Sequence, residues 1–100
     1  YGVLRQVLEL RRAEVASAFD KVAASLKKSK DAFDPFLADL RDIQQVLNLD
    51  LTTGGLKSVE STAKRAIARG QDLKAALTVA SADLRELAAK MAPRGPGEPQ

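Results

Sequence analysis

Apolar residues recur every seven positions along almost the whole chain. In the first half one row runs Leu8, Val15, Val22, Ser29, Phe36, Ile43, and a second runs Arg12, Phe19, Leu26, Phe33, Leu40, Leu47. In the second half the rows are Leu56, Ala63, Gly70, Leu77, Leu84, Met91 and Val59, Ala66, Leu73, Ala80, Leu87. Alternating steps of three and four residues are the spacing of coiled-coil helices. Period-two alternation and β-branched runs are missing, so no strand is expected. The pattern predicts an all-α chain: a long antiparallel helical hairpin, in effect a two-stranded coiled coil. Its helices should cover residues 2–47 and 56–91, with a turn at 48–55.

Pro35 tests this reading. Proline lacks a backbone N–H and crowds the carbonyl four residues back, here Asp31. Asp34 as N-cap with Pro35 at the first position of a new helix would break the segment into a three-helix bundle. The rows, however, pass from Leu26 and Ser29 through Phe33 and Phe36 to Leu40 and Ile43 without losing phase. A continuous first helix kinked at Pro35 is therefore expected, with Pro35 on the exposed side and the three-helix bundle as the alternative. At the turn, Asn48 can take the left-handed conformation that ends a helix, and Thr52 or Thr53 can cap the next one. The hairpin domain then covers 1–92, and the proline- and glycine-rich stretch 93–100 reads as a flexible tail.

A short connection makes the helices antiparallel neighbours, facing each other at positions whose numbers sum to about 103. Leu47 then meets Leu56, Leu40 meets Ala63, Phe33 meets Gly70 and Phe36 meets Ala66 or Ile67. Leu26 meets Leu77, Phe19 meets Leu84 and Arg12 meets Met91. The predicted hairpin core is Phe19, Leu26, Phe33, Phe36, Leu40, Gly70, Leu77 and Leu84. Bulky rings opposite Ala63, Ala66 and Gly70 fill space without voids. Leu37, Ile67 and Val79 lie beside the seam as an apolar flank. Such a flank suits a second packing surface, for a homo-oligomer of hairpins or for a helical partner. A monomer with solvated flanks is the alternative.

Composition narrows the chemistry. The chain of 100 residues is 45% hydrophobic with only 4% aromatics, and it has no cysteine, histidine or tryptophan. Disulfides, thiolate chemistry and cysteine or histidine metal sites are thereby excluded. Ser29 has no histidine to activate it as a nucleophile, and reads as a small polar residue that fixes register. The carboxylates lack the Glu-x-x-His motif of di-iron bundles. Asp39 and Asp42 fall outside the rows and should be solvated, pairing with Arg41, Lys64 or Arg65. The glycine pair at 54–55 lacks the strand and lysine of a phosphate-binding loop. No cofactor, small-molecule substrate or enzymatic activity is expected.

The net charge is +3 with 29% charged residues. Lys27, Lys28, Lys30 and Lys74 should fall at one level, with Arg69 about one turn away, as a basic belt. A belt of this kind can hold an anionic polymer or membrane surface, though it lacks the aromatics that stack bases. A solubilising face is the simpler reading. No stretch approaches the ~20 apolar residues of a membrane span. No signal peptide is visible, but the chain opens at Tyr1 already inside an apolar pattern, so a segment upstream of it is expected, with a signal and an anchor as its candidates.

The stretch Asp31-Ala-Phe-Asp-Pro-Phe-Leu-Ala-Asp-Leu-Arg-Asp-Ile-Gln, followed by Leu49-Asp-Leu-Thr-Thr-Gly-Gly-Leu, resembles an uncharacterised group of bacterial helical proteins. These are grouped as a domain of unknown function, and many carry envelope-targeting signals. The resemblance covers about residues 1–91 and implies a two-helix coiled coil in the bacterial envelope or periplasm. It implies no catalytic residue. The expected function is that of a non-catalytic structural or interaction protein. The alternatives are a salt-sensitive polyanion or membrane-surface binder, or a small secreted hairpin export substrate, although the tryptophan–x–glycine turn of that class is missing.

Overall fold

The computed structural model describes residues 2–49 and 52–93 and consists there of two α-helices. Helix α1 spans Gly2–Leu49 and α2 spans Thr53–Met91. They lie antiparallel, joining Lys21 to Glu86 and Asp39 to Arg65. The result is a rod of 77 × 23 × 17 Å. Its length follows from α1, since 48 residues at 1.5 Å each reach about 72 Å. The expected hairpin forms, and α1 runs through Pro35 as one helix rather than breaking into a bundle of three.

Both helices extend further into the turn than the glycine pair suggests. Asn48 and Leu49 are still helical, and Thr53, Gly54 and Gly55 already belong to α2. Asn48 therefore does not end α1 in a left-handed conformation. Thr52 is the N-cap: its backbone is extended at φ −72°, ψ 168°. Its hydroxyl accepts the Gly55 N–H at 3.3 Å and its carbonyl accepts the Leu56 N–H at 2.9 Å. The Gly55 N–H is one of the four left over at a helix start, and the Leu56 N–H makes the first regular bond of the helix. Residues 50–51 of the expected turn, and 94–100 of the expected tail, lie outside the described residues.

The contact line between the helices sits one residue round from the expected place. The row Val15, Val22, Ser29, Phe36, Ile43 faces α2 as predicted. Its companion, however, is Arg11, Ala18, Ser25, Ala32, Asp39, Val46, and not the row through Phe19 and Phe33. On α2 the row Val59, Ala66, Leu73, Ala80, Leu87 faces inward as predicted. Its companion is Gly55, Thr62, Arg69, Ala76, Asp83, Lys90. The fully buried apolar side chains are all small: Ala18, Val22, Ala66 and Ala80.

Of the predicted core, Phe36 and Gly70 are in the seam. Phe19, Leu26, Phe33, Leu40, Leu77 and Leu84 are not; they keep between 42% and 60% of their surface exposed. The second inward row is the smaller and more polar one on each helix, with Ala18, Ser25, Ala32 and Asp39 on α1 and Gly55, Thr62, Arg69, Ala76 and Asp83 on α2. Close approach favours the two narrowest rows, which lets small residues interlock and turns the bulky row outward.

The register is nonetheless near the expected one. Cross-helix polar contacts join residues whose numbers sum to between 103 and 108. Gly70 does face a ring, but the ring belongs to Phe36: a Cβ on Gly70 would lie 3.1 Å from Phe36 Cε1. Ser29 makes no bond across the seam. Its hydroxyl donates to the Ser25 carbonyl at 3.0 Å, and Ser25 donates to the Lys21 carbonyl at 3.0 Å. Both are satisfied inside α1, which makes buried hydroxyls tolerable. At the open end the inward residue is Arg11, not Arg12, and it donates to the Ala92 carbonyl. This satisfies an acceptor left over at the end of α2.

Gly70→Leu should lower the melting temperature by several degrees, because overpacking of this kind costs about 1–3 kcal/mol. Thermal melts followed by circular dichroism should show that adding Phe36→Ala makes the losses less than additive. Adding Phe33→Ala should leave them additive.

Candidate functional site

The hairpin has two unlike long sides. One is ionic. Its residues come from the positions just before the inward row on each helix, Glu14, Lys21, Lys28, Pro35 and Asp42 on α1 and Ser58, Arg65, Asp72, Val79 and Glu86 on α2. Antiparallel pairing sets these against each other across the seam. Lys21 donates to Glu86 at 2.8 Å, Arg65 lies 4.0 Å from Asp42, and Lys90 lies 3.8 Å from Glu14. Hydrogen bonding to Lys21 and its charge hold the Glu86 carboxyl below its ordinary value, and the same contact raises the Lys21 ammonium. Both groups are solvated, so the pair orients the helices more than it stabilises them.

Asp39 anchors this side from within. It is the most buried large side chain among the described residues, at 1% exposure. Its expected solvation is thus overturned, while the expected partner Arg65 is present. Arg65 Nε and Arg69 Nη1 both donate to Asp39 Oδ1 at 3.0 Å. Arg69 also donates to the Pro35 carbonyl at 3.3 Å. The carbonyl that proline leaves without its usual donor is that of Asp31; the Pro35 carbonyl is simply within reach of the Arg69 guanidinium across the seam. Pro35 is accordingly half-buried rather than exposed. Asp39 Oδ2 is buried without a partner in the protein.

The arrangement is lopsided, since the carboxylate is buried while the arginines keep 50% and 39% of their side chains exposed. It is a clip between helices. Two guanidinium groups on α2 balance the single carboxylate of α1 through its Oδ1.

The opposite side is apolar. The bulky row Phe19, Leu26, Phe33, Leu40, Leu47 of α1 runs beside Leu56, Ala63, Gly70, Leu77, Leu84, Met91 of α2. These rows occupy the same heptad position on two antiparallel helices and so share one side of the seam. Leu37, half-buried, and Ile67, 63% exposed, widen the same face at mid-length. Val79 does not join them; it lies on the ionic side near the level of Lys28. Single exposed apolar residues are ordinary, but a continuous stripe of this size is not.

Residues 2–10 of α1 pass beyond the end of α2 and add exposed Val3, Leu4, Val7, Leu8 and Leu10.

The basic belt does not assemble as one surface. Lys27 pairs with Asp31 at 3.0 Å and Lys30 with Asp34 at 3.4 Å, each one turn along α1. Arg69 is turned into the seam toward Asp39. Lys28 and Lys74 remain on different sides of the rod. Among the described residues no group of three or more aspartate and glutamate side chains gathers as a metal site. Nor is any helix there long and apolar enough to cross a membrane.

No family model, curated protein or solved structure matches this chain. The geometry of the apolar face and of the Asp39 clip therefore carries the functional argument.

Two outcomes follow from the ionic side. Removing both arginines, Arg65→Met with Arg69→Met, strands a buried carboxylate and should cost on the order of 3 kcal/mol in urea unfolding. Asp39→Leu leaves only solvated cations behind and should cost less, or stabilise. Separately, an NMR titration of Glu86 should give a midpoint below the ordinary 4.5. A lowered carboxyl stabilises the fold above its unfolded value and loses that contribution as the pH falls through the folded one. Lys21→Met should return the midpoint toward 4.5.

Proposed function

We propose that this chain is a non-catalytic helical docking module whose binding surface is the apolar side of the hairpin. One observation carries the reading: the fully buried apolar side chains are small, while a bulky apolar row on each helix faces out. A hairpin that worked alone would turn its apolar rows into the seam. Here the second inward row is half polar on α1 (Arg11, Ser25, Asp39) and mostly polar on α2 (Thr62, Arg69, Asp83, Lys90), whereas the outward rows run from Phe19 to Leu47 and from Leu56 to Met91 without a charge. An apolar row turned away from the seam along this length calls for a further helix to cover it. The surface fits another amphipathic helix or helical hairpin, laid along the rod.

The basic belt supports a polyanion reading less well, since two of its lysines are neutralised by carboxylates and Arg69 by Asp39. The likeness to envelope-targeted helical proteins favours a place in the bacterial envelope. Such a module would serve assembly or tethering there.

The test compares one pair of substitutions on each side. Leu26→Glu with Leu77→Glu places charges on the apolar face, and Lys28→Glu with Val79→Glu does so on the ionic side. Sedimentation should show that the native chain associates, with itself or with an added peptide helix apolar at two positions in seven. The apolar-face variant should lose this while keeping its helical circular dichroism. Unfolding of that variant, or association that survives it, contradicts the reading.

A further inference from the structure

We infer that the apolar face is covered by a second copy of this chain, in a two-fold dimer whose axis runs parallel to the rod with both turns at the same end. This rests on the docking reading and names its occupant.

The area is sufficient. Exposed aromatic and aliphatic surface on this face amounts to about 1,000 Å² per copy, so two copies would bury roughly 2,000 Å², at the top of the range for a stable pair. The face is also self-complementary in relief. The α1 row is bulky throughout, whereas the α2 row dips at Ala63 and Gly70, with Phe36 lying over Gly70 as the floor. An axis parallel to the rod sets α1 of each copy over α2 of the other at the same level. The register places Phe33 level with Gly70 and Leu40 level with Ala63 within one hairpin, so the same axis brings Phe33 and Leu40 of each copy into the dip of the other. Phe33 then meets the Phe36 ring of the second copy, a contact aromatic pairs favour.

The alternative axis, across the rod, behaves differently. It sets bulky row on bulky row and leaves Ala63 and Gly70 facing each other across a void.

The rim agrees with close approach. It carries Ala16, Ala23 and Ala88, with Leu37 level with Ile67 of the second copy. The like-charge approach this creates, Lys30 toward Lys74 of the second copy, is offset by Asp34, which already pairs with Lys30 at 3.4 Å. All four helices run antiparallel to their neighbours, the usual arrangement of a four-helix bundle.

The native chain has no cysteine, so a single spin label is simple to place. Light scattering should give twice 10.7 kDa. With a nitroxide at Gln45→Cys, near the turn and exposed, dipolar spectroscopy should give a separation of about 30 Å for turns at the same end. Turns at opposite ends would give about 45 Å or more. The longer distance overturns the inference.

Ala63→Phe fills the dip and should weaken the dimer by about tenfold while helix content stays; an unchanged dimer overturns the proposed fit. A monomer at all concentrations overturns the second copy as occupant. If that monomer still takes up an amphipathic peptide through this face, docking stands without the dimer. If it takes up neither, both fail.

Discussion

The close approach of two helices along a line of small side chains is the constraint on which everything else depends. Ala18, Val22, Ala66 and Ala80 are buried, with Ser25, Ser29 and Gly55 among them. None of these can hold helices apart. The one aromatic ring admitted to the seam, Phe36, lies against a glycine. A narrow seam buries little apolar area and therefore stabilises weakly on its own. It also leaves no room for the large side chains of the neighbouring rows. Their exposure follows directly from the packing that joins the helices.

The two sides of the rod then divide the work. The ionic side carries the cross-helix pairs Lys21–Glu86 and Arg65–Asp42 and the buried Asp39 held by two arginines. Buried charge is an uncertain source of stability, but it penalises any arrangement in which its partners are out of reach. A slip of one turn would separate Asp39 from one arginine, and a rotation of α1 would expose it. The clip therefore opposes the alternative in which α1 rolls to put its bulky row inside. The apolar side stays outward and continuous, and it is the surface proposed for docking.

Much of this was legible from residue order. Helix type, antiparallel pairing, the continuity of α1 through Pro35 and the register within about a turn all follow from the phase of the seven-residue rows. The rotation of the seam did not. Size reads as the mark of the interior, which puts Phe19, Phe33 and Leu40 inside and Asp39 outside. Two signals pointed the other way. Beside each seam row stands a row with several very small residues, Ala18, Ser25 and Ala32 on α1 and Gly55 and Ala76 on α2, and small residues are what close approach requires. Arg65 and Arg69 also stood one turn apart at the level of Asp39, which is what a buried carboxylate requires. The basic belt failed for a local reason, since its lysines had aspartates four residues on.

The central claim is that the bulky rings face outward from a small-residue seam. The chain has three phenylalanines, Phe19, Phe33 and Phe36, so fluorophenylalanine labelling gives one fluorine signal for each. The most direct measurement is the broadening of these three signals by a soluble paramagnetic probe, followed on dilution. The account predicts that Phe36 stays protected throughout, while Phe19 and Phe33 are protected when concentrated and become accessible together on dilution. Protection of Phe33 equal to that of Phe36 at every concentration would place the bulky row inside the hairpin and contradict it.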